Sequence, residues 1–536
     1  MRIASVLFLS RQREEFTECE SMFTESYIMF VPSNYQTAVF NWVKEGKGNA
    51  LVSATAGSGK TTTLVEALKL VKGEAVVLAF NKKIQMEMES KLRKNNLNAS
   101  AYTVHSLCFG VLKRTLGRVT VDDKKLNFIV DGLFSSDEEA KSYGRFVVKL
   151  VQLAKDDGVC LFWQPSEASE WVRLIEHHNL ELEENTDIAK ALEFAQKAIL
   201  LNNKDEKTID FSDMIYLTML KGLRMPKYDW VLVDECQDLS RLRQAVCKSL
   251  QHDKTRYMFV GDRGQAIYGF TGADSNALEQ IVSDFDAIEL PLSVSYRCSE
   301  AVVNHAKAFY PTIESAEGCS KGSIESLTYD TLAEKADTLN LSYTDSILCR
   351  TNAPLLRTAF SLIKKGIACR IEGRDIGQGL INIIQKWKVA KLDTLEQRLE
   401  VYKDREIQKA KVKNNDSLAS IVEDKVDCIK ACIDKCKLEG KTHVKDLIEL
   451  ILSMFSNSDD TRTPKNLLTL CSVHKSKGLE WNRVFLLGRK DYMPSKWAKK
   501  DWMKTQENNL IYVAITRAKE TLVEVEGVDE YLKSGK

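Results

Sequence analysis

The chain has 536 residues, and its 76 lysines and arginines nearly cancel 75 aspartates and glutamates, leaving a net charge of +1. That length exceeds what one hydrophobic core sustains and predicts about three or four domains. Near-neutral charge excludes a global basic field, so any contact with nucleic acid must come from a local groove. No apolar stretch approaches a membrane span. Thirteen cysteines are present without a zinc-ribbon spacing, which reads as a reduced, cytoplasmic chain.

The first 30 residues fit the rest poorly. Ile3 to Leu9 is faintly signal-like, but its apolar part is short and lacks a cleavage-type ending. Met22 and Met29 are alternative starts of translation. Residues 50–53 then form a short apolar strand, followed by ATAGSGKT from Ala54 to Thr61 and a helical pattern through Leu64, Ala67, Leu68 and Val71. A strand, a glycine-rich turn and a helix start make a phosphate cradle, because the glycines let backbone N–H groups turn inward and the helix end adds its positive pole. Lys60 is placed to reach the outer phosphates and the Thr61 hydroxyl to ligate Mg²⁺. The first position of this pattern is Ala54 where glycine is usual.

Another strand is expected over residues 75–80. Residues 110–225 read as a long helical stretch, and then WVLVDECQD, Trp230 to Asp238, is an apolar strand ending in Asp234 and Glu235. Acids at the carboxyl end of a parallel strand face the crevice that the phosphate loop faces. Asp234 suits the Mg²⁺ shell and Glu235 suits a base for water. In FVGDRGQAIYGFTGA, Phe259 to Ala273, a strand over 256–260 precedes Gln265, whose neutral amide suits a γ-phosphate or an attacking water. Tyr268 and Phe270 follow on a glycine-rich loop, where exposed rings suit stacking on nucleic-acid bases.

After a strand at 287–290 comes a second series at 346–349, 368–372, 467–471, 483–488 and 521–525, with a lysine-rich helical insertion at 378–462. Short Val- and Leu-rich runs alternating with helices predict parallel sheets covered on both faces, hence an α/β fold. Gly318–Ser323 and Ser456–Pro464 are the best linker candidates. Cys428, Cys432 and Cys436 recur every four residues on one helix face. Three thiolates on one face are a conceivable metal set, but a semi-buried stripe beside Val426, Ile429 and Ile433 is the favoured reading, since metal thiolates usually come as paired CxxC units.

In order and wording these motifs resemble superfamily 1 DNA helicases of the UvrD, Rep and PcrA type, from about Pro32 to Gly527, and the wording SYRCSEAV and DFSDMIYL resembles the compact members. The resemblance implies two RecA-like parallel-sheet motor domains with inserted helical subdomains. It places the first at 31–109 and 226–294 with a helical insertion at 110–225. It places the second at 295–377 and 463–536 with a reduced insertion at 378–462, after an N-terminal extension at 1–30. It implies ATP and Mg²⁺ as cofactors, single-stranded DNA and single/double-strand junctions as partners, and 3′ to 5′ movement.

Site roles follow from the same resemblance. Gln36 matches the glutamine that reads the adenine edge. Ala56, Gly57, Ser58 and Gly59, with Lys60, Thr61 and Thr62, are expected to hold the phosphates. Phe80 and Asn81 in AFNKK, and Thr103 and His105 in TVHS, match segments that grip single-stranded DNA. Asp234 and Glu235 match the magnesium and catalytic acids, and Gln265 the γ-phosphate sensor. In SYRCS, Tyr296 matches a ring that stacks on adenine and Arg297 an arginine finger. In SVHKSKGLEW, Ser472, His474 and Lys475 match DNA contacts and Glu480 a ribose contact. Arg517, expected on a helix four residues after Val513, matches a second finger. Phe270 and Thr271 depart from the Trp-Arg pair of larger members. Two other classes stand beside the motor: a P-loop small-molecule kinase or synthetase, indifferent to DNA, and a non-catalytic nucleic-acid scaffold, which needs neither Glu235 nor the two arginines.

Overall fold

The computed structural model describes residues 30–178, 180, 182, 186–268, 277–365, 367–412, 416–456 and 467–533. The readings of residues 1–29, of Phe270 and Thr271, and of most of the linker at 456–464 lie outside the described residues.

Two parallel sheets organise the chain. The first contains β1 (Asn49–Ala54), β2 (Ala75–Ala79), β3 (Ala99–Thr103), β4 (Trp230–Val233), β5 (Arg256–Gly261) and β6 (Ala287–Leu292), in the order β3-β2-β4-β5-β1-β6. The second contains β7 (Ser323–Thr328), β8 (Asp345–Cys349), β9 (Cys369–Glu372), β10 (Phe455–Ser456), β11 (Leu468–Ser472), β12 (Trp481–Leu487) and β13 (Ala518–Glu526), in the order β7-β13-β12-β8-β11-β9-β10. Every pairing within either sheet is parallel. Parallel sheets are covered on both faces, which is why β2, β4, β8 and β11 are buried at every residue.

The two faces of each sheet feed different cores, as the alternation of side chains along a strand requires. Leu51, Val76, Leu78, Val231, Val233 and Phe259 join Val147, Leu150, Trp171 and Tyr216 of the inserted helices, so the first insertion packs directly on its sheet. Their neighbours Ala50, Val52, Val77, Leu232 and Val260 face Val39, Trp42 and Leu64 on the other side. In the second sheet Ile347, Ile371, Leu470, Phe485 and Val523 join the second insertion, including Leu395, Val426, Ile429, Cys432 and Ile433. Cys428, Cys432 and Cys436 thus belong to an apolar core, and burial raises all three thiol pKa values.

Three strands of the two sheets had no counterpart in the sequence reading. β3, ASAYT, lacks Val and Ile, β7, SIESLT, is mostly exposed, and β10 is only two residues long. All three lie at a sheet edge, where a strand needs little hydrophobic signal. The last residue of the expected Gly318–Ser323 linker is the first of β7. No helix among the described residues is long and apolar enough to cross a membrane.

Candidate functional site: a cleft between two lobes

The loop after β1 supplies the centre of the site. Gly57 and Gly59 take positive φ angles of 74° and 78°, a conformation that suits glycine. Ala54 ends β1 fully buried and without a positive φ, so its backbone does not call for glycine. Ser58 donates its hydroxyl to the Thr55 carbonyl, which tightens the turn. α1 (Lys60–Leu68) then starts without a side-chain cap, so its first N–H groups are available to an anion. These features fit a triphosphate.

Gly57 to Thr62 line a cavity of about 680 Å³ together with Asp234, Glu235 and Gln265 from the first lobe and Tyr296, Arg297, Glu480 and Arg517 from the second. Lys60 Nζ lies 3.0 Å from Glu235 Oε1. Burial opposes the charge on Glu235, but Lys60 and Lys477 outweigh it and hold that carboxyl down to about 2. Burial and the adjacent Glu235 raise Asp234 instead. Neighbouring acids driven apart in this way mark the chemical centre of a site. Asp234 and Thr61 both face the cavity and are the residues present that could hold a divalent cation.

Gln265 is aimed by its neighbours. Its amide donates to Asp262 Oδ2 at 2.6 Å, Asp262 Oδ1 accepts from the Gly264 N–H, and the Asp262 N–H donates to Gln237 Oε1. Gln237 also donates to Glu235 Oε2 at 2.5 Å, so one amide links the acid strand to the glutamine strand. Asp262 and Gln237 carried no functional reading in the sequence.

The second lobe closes on this loop through backbone and ring contacts. The Ala56 N–H donates to the Tyr512 hydroxyl at 2.8 Å, and the Tyr296 N–H donates to the Gly57 carbonyl at 2.9 Å. Ala56 is therefore buried against the opposite lobe. A Cβ on Gly57 would lie 2.5 Å from Arg297 Cβ. Arg297 is held by Glu480, with Nε 2.6 Å from Oε2, while Lys519 sits 2.8 Å from the other oxygen. Both oxygens of Glu480 are thus engaged by cations of its own lobe. Tyr296 is 52% exposed at the cavity edge.

Arg517 lies one residue beyond the cap of the helix α2 (Asp501–Ile515), not on it, because β13 begins at Ala518. Its guanidinium is 1% exposed and donates to the carbonyls of Val513 and Leu479 and to the Thr516 hydroxyl. It still borders the cavity that holds Lys60. Burial and the nearby Arg297 push its pKa down to about 10, so it stays charged at neutral pH.

Gln36 lies outside the cavity lining. It is buried, accepts from the Ser33 N–H at 3.0 Å and donates to Thr63 Oγ1 at 3.1 Å, which ties it to the helix behind the phosphate loop. Asn81 caps the helix Lys82–Lys94, and Thr103 caps the helix Val104–Leu116.

Four rings form two stacks. Phe80 and Tyr268 lie parallel to each other, with centroids 5.7 Å apart at 14°. His105 stacks on Phe211 at 4.1 Å. Phe211 is 55% exposed, although it stands between Asp210 and Asp213, which the buried Lys155 pairs with at 2.8 Å each. Lys125 pairs with Asp213 as well. This charged anchor holds an aromatic ring in solvent, and an exposed Phe between two acids was the signal available for it in DFSDM.

The remaining candidates are Ser472, which ends β11, and His474 and Lys475 on the turn after it. Ser472 and His474 line a separate cavity, whereas Lys475 faces the phosphate cavity. Lys477, which had no role in the sequence reading, reaches across the cleft. Its ammonium lies 2.6 Å from Asp238 Oδ2, 3.9 Å from Glu235 Oε2 and 2.8 Å from the Gln265 carbonyl, and it stands 4.8 Å above the Tyr268 ring and 5.8 Å above Phe80.

A phosphate loop, an acid pair and two arginines meeting between parallel sheets define a P-loop protein with two RecA-like lobes. Comparison with known proteins narrows the class. Residues 36–286 match the UvrD/REP helicase N-terminal domain and residues 467–523 the UvrD-like helicase C-terminal domain, more than half of the chain between them. The chain belongs to the UvrD family of helicases. It is 28% identical over 334 residues to DNA helicase IV of Escherichia coli, covering 53% of this chain and 48% of that protein. It is 27% identical over 306 residues to a probable DNA helicase II homolog of Mycoplasma pneumoniae, covering 51% and 41%. It is 23% identical over 511 residues to F-box DNA helicase protein 1 of Schizosaccharomyces pombe, covering 88% and 55%. The chain spans about half the length of these relatives.

Proposed function

We propose that this protein is an ATP-dependent DNA helicase or translocase that moves on single-stranded DNA, 3′ to 5′ as the family resemblance implies. The lobes are 31–109 with 226–294 and 295–377 with 463–536, and the helical insertions are 110–225 and 378–462. One observation carries the reading: the stacked rings of Phe80 and Tyr268 share the ammonium of Lys477 with the acid Glu235. A small-molecule kinase has no use for such rings beside its phosphates.

In this reading Lys60 and the first turn of α1 hold the phosphates. Thr61 and Asp234 would hold Mg²⁺, which would supply charge neutralisation at the phosphoryl group. Glu235 takes a proton from the attacking water. Lys60 and Lys477 beside it hold that carboxylate below its usual range. Moving either cation away strengthens the base. A DNA base entering between Phe80 and Tyr268 displaces Lys477 from the two rings, so strand binding and proton abstraction are linked through one side chain. Arg297 and Arg517 approach from the second lobe, and a finger of this kind accelerates phosphoryl transfer by about 10³ to 10⁵. Single-stranded DNA runs across both lobes and meets Phe80, Phe211 with His105, and the His474–Lys475 turn.

The test is ATP turnover by the whole chain with and without single-stranded DNA, alongside Lys60→Ala and an unwinding assay on a tailed duplex. Strong stimulation by DNA and near-complete loss in the variant are expected. Turnover that ignores DNA would end the motor reading. Stimulation without unwinding would assign a translocase that displaces proteins.

A further inference from the structure

The phosphate cavity runs on past the acid pair. Across the cleft the first sheet reads β1-β5-β4-β2, and each strand delivers part of the lining at its carboxyl end. The phosphate loop follows β1, Gln265 follows β5, Asp234 and Glu235 follow β4, and Phe80 follows β2. Beyond Phe80 the lining continues on the helix Lys82–Lys94, with Lys83, Glu87 and Lys91. From β1 to β2 is three strand spacings, roughly 14 Å. A triphosphate held on the loop puts its terminal phosphate at the β4 acids, so the β2 end lies past the nucleotide. We infer that this end is the exit for inorganic phosphate, which passes Lys83 and Lys91 beneath the second-lobe turn that carries Lys475. The inference rests on the reading of the cleft as an ATP-hydrolysing motor.

Three observations point to an exit. The first is charge. At the centre of the cavity Lys60 faces both Asp234 and Glu235, an excess of acid. At the β2 end Lys83, Lys91, Lys475 and Lys477 outnumber Glu87 and Glu372. Phosphate formed beside two carboxylates and ADP is repelled where it forms, and the nearest positive excess lies toward β2. The second is access. Lys91 pairs with Glu87 at 2.7 Å, but the two side chains are 40% and 58% exposed, so this end meets water and the pair is weak enough to be exchanged for a passing anion. The end is also continuous with the acids, since burial and Glu235 raise the Asp234 carboxyl and Glu87 adds to that rise. The third is obstruction of the opposite route. Toward β1 the loop still carries ADP after cleavage, and its Ala56 N–H and Gly57 carbonyl are taken by Tyr512 and Tyr296 of the second lobe. Phosphate leaving that way must wait for ADP, whereas phosphate leaving past β2 need not.

The position of the exit gives it a purpose. Phe80 lines it, and Lys477 stands 5.8 Å above that ring while also 3.9 Å from Glu235. A strand base at Phe80 and a departing phosphate therefore meet the same cation. Strand occupancy and product release are tied at this end of the cleft.

The experiment uses the whole chain with saturating oligothymidylate, on the first turnover. Cleavage of ATP is followed by acid quench, phosphate release by a fluorescent phosphate-binding protein, and ADP release by a fluorescent ATP analogue. In the double variant Lys83→Glu with Lys91→Glu, phosphate release should fall about tenfold behind cleavage, as expected when two charges along a channel are reversed. ADP release should not precede it, and Lys83→Arg with Lys91→Arg should release phosphate as the native chain does. Release that keeps pace with cleavage in the reversed variant overturns the inference and leaves the motor reading standing. So does a variant that only binds the strand more weakly, with native release once the strand is saturating. An equal delay in the arginine variant would assign the two positions to helix packing and also overturn it. Turnover that ignores DNA refutes the motor reading, and the exit is then judged on DNA-free turnover by the same two rates. A native chain that cleaves no ATP refutes both. Should the double variant not fold, Lys91→Glu alone, at an exposed helix position, carries the test, and release in step with cleavage there refutes the exit.

Discussion

Lys477→Met is the most informative perturbation of the cleft. The ammonium lies 2.6 Å from Asp238, and the two side chains are 9% and 1% exposed. Breaking a buried pair by removing one partner costs about 3–5 kcal/mol, because the other charge stays buried alone. With the lysine slightly exposed, about 3 kcal/mol is the reasonable figure, or a fall in Tm of roughly 6–12 °C at 2–4 °C per kcal/mol. The loss depends on pH. Burial raises the Asp238 pKa while Lys477 pulls it back, so without the lysine the pKa climbs further above its ordinary 3.8. A raised carboxyl favours the native state only when protonated. The deficit of the variant should therefore be full at alkaline pH and shrink as pH falls through that raised pKa. Adding Asp238→Asn should restore most of the loss. Turnover gives a second readout: Glu235 loses one of two restraining cations, so hydrolysis without DNA should rise and stimulation by DNA should fall. Native-like melting at every pH, with unchanged stimulation, would refute the reasoning.

Gly57→Ala should cost about 1–2 kcal/mol for its left-handed backbone and should also push Arg297 away, lowering turnover more than nucleotide affinity; equal losses in both would mean the loop itself is damaged. Arg297→Ala should fold normally, because Glu480 keeps Lys519, and should bind nucleotide while turnover falls at least about 10³-fold. Arg517→Ala should in addition lower stability by roughly 3 kcal/mol, since the Val513 and Leu479 carbonyls lose their buried donor; thermal melts of the two variants separate these roles. His105 is pushed down to about 4 by burial and then by Arg243. A depressed histidine supports the fold above its ordinary 6.5 and loses that contribution as pH falls toward 4, so His105→Phe, which keeps a ring on Phe211, should flatten the acid side of the Tm–pH profile. Parallel profiles would show that His105 does not titrate in this way.

Local patterns were the legible part of this protein. Apolar runs of four to six residues named most of the strands, since a parallel strand buried on both faces must be hydrophobic throughout. The glycines and Lys60 could be read because the phosphate loop is built from consecutive residues, and Asp234 with Glu235 because strand ends in such sheets face a common crevice. β3, β7 and the two-residue β10 escaped because strands at an edge need little apolar signal. Arg517 was placed on a helix because periodicity does not announce where the last turn stops.

What the linear pattern could not contain is the pairing across the cleft. Lys477 lies 239 positions from Asp238 and 212 from the carbonyl of Gln265. Nothing near it in SVHKSKGLEW distinguishes it from Lys475, which faces the same cavity. Strand, loop and helix starts follow from short-range sterics and side-chain periodicity, which the sequence carries by itself. Which cation meets which acid depends on how two lobes close, and only the tertiary structure decides that, because electrostatic partners are chosen by distance in space.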